Sequence, residues 1–501
     1  MDTNYKYWKD KYLIILFIVS TLFYLVQHYY SFSWDFISFV LSGRYWFNHG
    51  IYFEVWDPPL TAILISMFSL FGWKLAEYLF IIFVSILFLI SSVKLSQALN
   101  INSKIFYLMS LSPYVLSYGL INGSELLSVI FIEFFIYCLI KDKSYSGVFL
   151  GLAFLTRYNF IVFLPLLLLS FKFRKVLANL LAFFVIVLPW LVYNFIKYGN
   201  FLTSIADAYA LNVKFRYYFN PFDFVNVLYV ILFMLPFLLI GLFKLILKTK
   251  NQVVNSNKPN NVLSEKHVNL VILSLTVLII YQYYITPLKD VRYIFPLMIP
   301  VAYFSAIGLM HVKRKIGVYK QILVVFITLN VLFIILFGFK FKNLKEDKYE
   351  IALDTLDSNN LSACKLYTNY WPYINYFGKA AEPAPHKGVV EYEINEGSLI
   401  LLFEDSGEPE YASNLTFLNS KKVLIKNDMF ILLGSNSSCK EERKVDYTYL
   451  SNLKRTVNLL NNYEINTNPC FILFSNSNIG EKICNLMNYG NFSLDSNRNL
   501  A

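Results

Sequence analysis

Apolar runs of about 20 residues recur along the first 340 residues, each long enough as a helix to cross the ~30 Å hydrocarbon layer. Lipid offers backbone amides no water to bond, so such runs must satisfy their own hydrogen bonds as membrane-crossing helices. Composition agrees, because 56% hydrophobic and 15% charged residues lie far from the balance of a soluble globular protein. The reading is a polytopic α-helical membrane protein, multi-pass in the cell membrane. The first run, Tyr12 to Tyr30, has no small-residue cleavage site after it and reads as a retained helix.

The net charge of +11 does not point to nucleic acid. Residues 1–340 carry 28 Lys and Arg against 13 Asp and Glu, while residues 341–501 carry 16 against 20. The basic excess therefore lies in short loops of the membrane half, where the retention of Lys and Arg on the cytoplasmic side puts it. The basic start, Lys6 to Lys11, is then cytoplasmic, and the first helix delivers residues 31–60 to the outside.

In that first external loop Phe36, Phe39, Val40 and Phe47 recur at helical spacing opposite Ser38, Ser42 and Asn48. The pattern is that of a short helix along the membrane surface. Asp57-Pro58-Pro59 reads as a helix start with Asp57 as N-cap. Apolar helices follow at 75–95, 105–118 and 125–140, then two short ones within 147–171 meeting at Thr156 to Asn159. Further helices read at 176–196, 225–247, 268–285, 293–311 and 316–339, about eleven spans in all. The polar stretch 248–266 reads as a flexible cytoplasmic linker.

The transmembrane domain thus covers 1–340, and the alternation puts 341–501 outside as one small α/β domain of ordinary size. Strand-like runs at 365–368, 399–403, 423–425, 429–433 and 471–474 alternate with helix-like runs at 349–356, 449–461 and 479–488. Cys364, Cys439, Cys470 and Cys484 all fall there, an even number that fits one or two disulfides in an oxidising setting. Acceptor triplets for N-glycosylation begin at Asn414, Asn436 and Asn491.

No phosphate-binding loop, zinc-protease helix, paired-cysteine metal site or nucleophile elbow is present. His49 and His386 stand apart from other ligands, so no metal or other cofactor is read. What remains is a set of charges that the topology gathers at the outer face: Asp35, Asp57, Glu125, Arg157, Lys289, Asp290 and Arg292. Acids and bases so gathered suit a reaction that needs a general base and a cationic cradle for a phosphate leaving group. Each also has a plainer reading. Asp35, Asp57 and Glu125 are all placed to cap helices, and Arg292 is placed to reach headgroups. Arg157 interrupts an apolar run and must find water or a counter-charge. Tyr367, Tyr370, Trp371 and Tyr373 suit either sugar contacts or the core of the small domain.

Five pieces, in order, carry a resemblance: Trp34-Asp35-Phe36; Trp56-Asp57-Pro58-Pro59-Leu60; Gly151 through Arg157-Tyr158; Leu188-Pro189-Trp190 with Tyr198-Gly199-Asn200; and Arg292-Tyr293 through Pro296 with Pro300. Together they resemble the GT-C glycosyltransferases of the protein O-mannosyltransferase and aminoarabinose transferase type. The resemblance implies a GT-C-like membrane domain and a polyprenyl- or dolichyl-phosphate-linked sugar as donor. It also implies a hydroxyl acceptor on a protein, a lipid or a glycan, and transfer of a hexosyl or pentosyl group with inversion. By the same analogy Asp35 is the general base, Arg157 and Arg292 hold the donor phosphate, and Glu125 faces the same cavity; Lys289, from its charge, is read as binding the phosphate with them. Guanidinium groups suit that task because they bind phosphate in a bidentate fork.

The chain departs from the pattern in two places. Phe36 stands where many relatives have Glu after the catalytic Asp, so a second acid has to come from Asp57 or Glu125. Asp57 itself stands where relatives carry His or Lys. The first loop also lacks the Asp-x-Asp metal pair of the oligosaccharyltransferase subunit, which fits metal-independent transfer of one sugar. Two other classes stay open on the residues: a transporter or flippase for a lipid-linked sugar, and a non-catalytic scaffold presenting the tail. No inverted repeat or matched pair of broken helices supports the first, and the second leaves Asp35, Arg157 and Arg292 without a joint purpose.

Overall fold

The computed structural model describes residues 10–31, 33–47, 52–53, 56–170, 172–209, 222–254, 259–286, 289–315, 319–335, 347–385, 390–403, 410–434 and 447–448. His49, His386, Cys439, Cys470, Cys484, the triplets at Asn436 and Asn491 and the tail elements expected beyond 448 lie outside these residues. In chain order the helices are α1 (Lys11–Tyr30), α2 (Trp34–Trp46), α3 (Pro59–Met67), α4 (Trp73–Ala98), α5 (Ser103–Ser110), α6 (Pro113–Tyr118) and α7 (Glu125–Ile140). They continue with α8 (Ser146–Thr156), α9 (Phe173–Tyr198), α10 (Thr203–Tyr209), α11 (Phe224–Ile231), α12 (Leu235–Val254), α13 (Pro259–Ile285), α14 (Met298–Lys315) and α15 (Tyr319–Phe333). Helices α16 (Asp347–Ser358), α17 (Trp371–Tyr376), α18 (Val390–Asn395) and α19 (Leu415–Asn419) follow. The strands are β1 (Tyr52–Phe53), β2 (Leu366–Thr368), β3 (Glu382–Pro383), β4 (Leu399–Phe403), β5 (Val423–Lys426), β6 (Phe430–Leu433) and β7 (Tyr447–Thr448).

Two compact units result. The first takes Met1–Phe32, Pro58–Phe201 and Leu211–Lys342. Among its described residues six helical stretches are long and apolar enough to cross a membrane: Lys11–Tyr30, Trp73–Ala98, Phe173–Tyr198, Phe224–Leu245, Lys266–Ile285 and Val291–Lys313. Shorter apolar helices at Ser146–Thr156, Tyr158–Ser170 and Lys320–Phe333 complete the set. The span expected at 105–118 is two helices, because Ser112 caps a new one that opens on Pro113. The break expected near Arg157 is present, and Arg157 itself is extended (φ −153°, ψ 114°) between α8 and a 3₁₀ helix over Tyr158–Ser170. The expected flexible linker at 248–266 is corrected. Helix α12 runs through Val254 and α13 opens at Pro259, so most of that polar stretch extends two membrane helices.

Small residues allow close backbone packing in this unit. A Cβ on Gly241 would lie 2.0 Å from the carbonyl oxygen of Phe304, and one on Gly308 would lie 1.9 Å from that of Phe237. Helices α12 and α14 therefore touch backbone to backbone, as small residues allow in lipid, where close van der Waals contact replaces the hydrophobic drive.

The second unit takes Ser33–Asp57, Leu202–Ala210 and Asn343–Ala501. The first loop, expected with the membrane domain, is thus grouped with the tail. Helix α2 packs on α17, and β1 pairs in parallel with β7. The polar face expected on this helix is not exposed: Phe36 through Gly43 are all buried, polar Ser38 and Ser42 included. The five-stranded sheet has the order β3-β2-β4-β6-β5, parallel between β2 and both β3 and β4, antiparallel on the other side. Central β4 is buried at every position, so the run Leu399 to Phe403 reads as continuously apolar rather than alternating. One of its faces packs Ile400 and Leu402 with Tyr367, Val390, Ile394, Ile431 and Leu433.

Candidate active site

In the first unit three segments bring charge together. Glu125 opens α7 after Ser124, whose side chain makes no cap bond. Its carboxylate is fully buried and pairs instead with Arg157, Nη1 to Oε1 at 2.5 Å. Ser124 Oγ and Asn122 Nδ2 also donate to it, each at 3.4 Å. The capping alternative for Glu125 therefore gives way to an ion pair, and Arg157 has found the counter-charge its apolar run required.

The 3₁₀ turn Val291–Leu297 supplies the rest. Asp290 caps it by accepting from the Arg292 amide at 2.9 Å, while its other oxygen lies 3.2 Å from Arg292 Nε. Tyr114 from α6 donates to the Val291 carbonyl at 2.6 Å and anchors the turn. The guanidinium carbons of Arg157 and Arg292 each lie 5.7 Å from the centre of the Tyr293 ring. Two residues 135 positions apart in sequence thus share one aromatic ring, each aligned by its own carboxylate. A guanidinium is a forked donor group of the kind that binds phosphate.

Lys289 is elsewhere engaged. Its Nζ donates to the carbonyls of Tyr283 and Tyr284 at 2.9 Å each and to that of Thr286, closing the C-terminal end of α13. Burial draws its pKa below the ordinary lysine value. Asn226 holds the same turn by donating to the Lys289 carbonyl at 2.6 Å. The segment that carries Arg292 continues into Leu297, Pro300 and Val301, which line an open apolar groove of about 800 Å³ with residues of α11, α12 and α13.

In the second unit the two first-loop acids lie within electrostatic reach of each other. Neither is a cap. Ser33 caps α2 by accepting from the Phe36 amide, and Pro58 occupies the N-cap of α3 without a side-chain bond. Asp57 turns inward to accept from Ser38 Oγ at 2.7 Å. It is only 7% exposed, and burial, reinforced by the nearby Asp35 charge, pushes its pKa well above the usual carboxylate range against the pull of the Ser38 bond. Asp35 sits half-buried in the first turn of α2.

Sequence reasoning missed several buried polar groups. Ser38 follows Asp35 by three residues, one helical turn, and that spacing was a usable signal. Glu77 and His28 form a buried pair at 2.9 Å between α4 and α1, and Glu133 of α7 is fully buried with Ser91 Oγ donating at 2.5 Å and Ser92 Oγ at 3.0 Å. The rule that singles out acids in apolar runs applied equally to these.

Two solved structures are similar to this chain. A crystal structure of ArnT from Cupriavidus metallidurans bound to undecaprenyl phosphate superposes with a TM-score of 0.57 at 11% identity, covering 86% of this chain and 99% of that one. The apo crystal structure of ArnT from the same organism gives 0.52 at 13% identity, covering 84% and 97%. No protein-family model matches the sequence, and no curated protein does. At these identities the likeness establishes the fold. The chain is folded like the ArnT structures and, with its apolar helices, is a polytopic helical membrane protein.

Proposed function

We propose that this chain is a membrane glycosyltransferase that moves a sugar from a polyprenyl-phosphate-linked donor to an acceptor hydroxyl at the extracytoplasmic face. The observation that carries the reading is the pair of guanidinium groups, Arg157 and Arg292, flanking Tyr293 on a segment that leads into an apolar groove. A donor of this class has a phosphate at the end of a long hydrocarbon chain, and both parts find matching chemistry here. The similar ArnT structure is described as bound to undecaprenyl phosphate, which supports the same donor class for this fold.

In the proposed reaction Asp35 accepts the proton of the acceptor hydroxyl as its oxygen attacks the anomeric carbon. The bond from that carbon to the phosphate oxygen breaks, and polyprenyl phosphate leaves with inversion at the sugar. Arg157 and Arg292 take up the charge that grows on the phosphate oxygen, with Glu125 and Asp290 fixing their orientation. Lys289 supports the Asp290–Arg292 turn through the end of α13 rather than meeting the phosphate. Asp57 keeps its proton, held by burial and Ser38, so that a single charge serves as base. The 341–501 domain faces the extracytoplasmic side with the first loop.

Membranes containing wild-type protein or Asp35→Asn, supplied with a panel of radiolabelled polyprenyl-phosphate monosaccharides, test the reading. Counting label in delipidated protein, lipid and free glycan, transfer is expected from wild type and a loss on the order of 10²- to 10⁴-fold in the Asn form at equal expression. Equal transfer by both proteins would remove Asp35 from the chemistry. Movement of sugar-lipid with no new glycosidic bond would replace transfer by transport.

A further inference from the structure

We propose that the rings of Trp34, Tyr370 and Trp371 form an acceptor platform that takes a sugar ring, so that the acceptor is a glycan or the sugar headgroup of a glycolipid. The inference rests on the glycosyl-transfer reading for what the bound hydroxyl does, and on the geometry of the second unit for what binds.

The aromatic residues of this unit divide into two sets. Tyr349 and Tyr373 are 1% and 4% exposed and stack at 4.8 Å with 16° between their planes. They are core. Trp34, Tyr370 and Trp371 are only half-buried and stand on that core. Trp34 meets Trp371 edge to face at 4.3 Å and 87°, and Tyr370 meets buried Phe403 at 5.5 Å and 87°. Arg44 locks α2 to α17 by donating to the Tyr376 carbonyl at 2.8 Å while lying 4.7 Å over the Tyr376 ring. The half-buried rings are thus held in place before any ligand arrives, which lowers the entropy lost on binding.

The chemistry around them is that of a polyol site. A sugar ring has an apolar C–H face and a rim of hydroxyls, and Trp and Tyr offer large faces with a polar edge. Trp34 is followed directly by Asp35, a carboxylate that accepts hydroxyl hydrogens. Lys348 Nζ lies over the Tyr370 ring, 4.5 Å from its centre, and adds a donor there, which leaves the Trp34–Trp371 pair as the stacking part of the platform. Strand addition along a free sheet edge is one way to hold a polypeptide acceptor. Among the described residues the edges of the five-stranded sheet are β3, two residues long and ending in Pro383, and β5, which is irregular between Val423 and Ile425. Both are poor templates for an added strand.

The test uses the full chain in detergent. Binding of a mannooligosaccharide, a chitooligosaccharide, a maltooligosaccharide and a Ser/Thr-rich peptide is followed by tryptophan fluorescence in wild type, Trp371→Ala and Trp371→Phe. At least one oligosaccharide is expected to bind wild type, to bind Trp371→Ala about tenfold more weakly, and to recover most of that loss with Phe, which keeps a stacking face. In the wild-type protein the same sugar is expected to shield Trp34 and Trp371 from oxidation by N-bromosuccinimide, a readout that needs no variant to fold. No oligosaccharide binding, no shielding, or tight binding by the peptide alone would overturn the inference. Incorporating the sugar in a glycolipid vesicle distinguishes a lipid-borne headgroup from a free glycan. The two readings fail separately. Sugar binding without transfer from any donor leaves the platform and removes the enzyme, whereas transfer that is lost in Asp35→Asn yet has an unchanged acceptor KM in Trp371→Ala leaves the enzyme and removes the platform.

Discussion

Asp57 shows how a side chain read as a cap becomes something else when its neighbours are known. Its carboxyl is buried against Ser38 and close to Asp35, and its raised pKa means that the folded chain binds the proton more tightly than the unfolded one. The stabilisation this brings is complete below the ordinary aspartate value of about 4 and is lost as pH rises through the raised folded value. Asp57→Asn keeps an acceptor for Ser38 and removes the titration. Its melting temperature is expected to gain on wild type as pH rises above about 4, and a gap independent of pH would refute the buried proton. At Arg157 the partner matters as much as the residue. Arg157→Met strands the buried Glu125 charge and is expected to cost about 3–5 kcal/mol of stability, most of it recovered in Arg157→Met/Glu125→Gln. Sugar transfer should stay absent in that double variant, which separates folding from phosphate binding. Arg157 was legible as needing a counter-charge; that Glu125 supplies it was not, because 32 residues and a turn separate them.

At the scale of elements, runs of apolar residues gave helix existence well and helix ends poorly. The break at Arg157 was legible, and so were β2, β4, β5 and β6, since each is a short apolar run bounded by turn residues. The helical extension of α12 and α13 into an Asn- and Ser-rich stretch was not, because weak local propensity is overridden once a helix has nucleated in its apolar part. Lys289, read as a phosphate ligand from its charge, closes the end of α13 through three carbonyls. Helices α12 and α14 meet where Gly241 and Gly308 leave room, and neither glycine carried a sequence signal tying it to the other. Gly241→Ala and Gly308→Ala each place a methyl group into a facing backbone carbonyl. Each is expected to destabilise the protein by about 1–3 kcal/mol, read as a lower melting temperature in detergent.

For the whole molecule the testable quantity is orientation. Asp428, exposed in the turn between β5 and β6, belongs to the unit proposed to lie outside, whereas exposed Lys141 follows α7 on the side read as cytoplasmic. In intact cells a membrane-impermeant maleimide is expected to label Asp428→Cys above the parent protein's background and to label Lys141→Cys only after the membrane is opened. The reverse pattern would invert the topology and with it the proposed face of the reaction. Cys138 is buried and Cys364 is disulfide-bonded, so neither should contribute to the signal.

The amino-acid sequence alone determined that this is a helical membrane protein, roughly where its helices lie, and which charges were too costly in lipid to be incidental. These are local quantities: hydrophobic length, desolvation and turn chemistry act on neighbours in the chain. Only the tertiary structure decided that Ser33–Asp57 joins the tail, that Arg157 and Arg292 share Tyr293, that Asp57 bonds Ser38, and that Lys289 closes a helix. Each of these depends on which distant segments pack together, and packing is governed by shape and by satisfying buried polar groups across the fold, which no window of sequence contains.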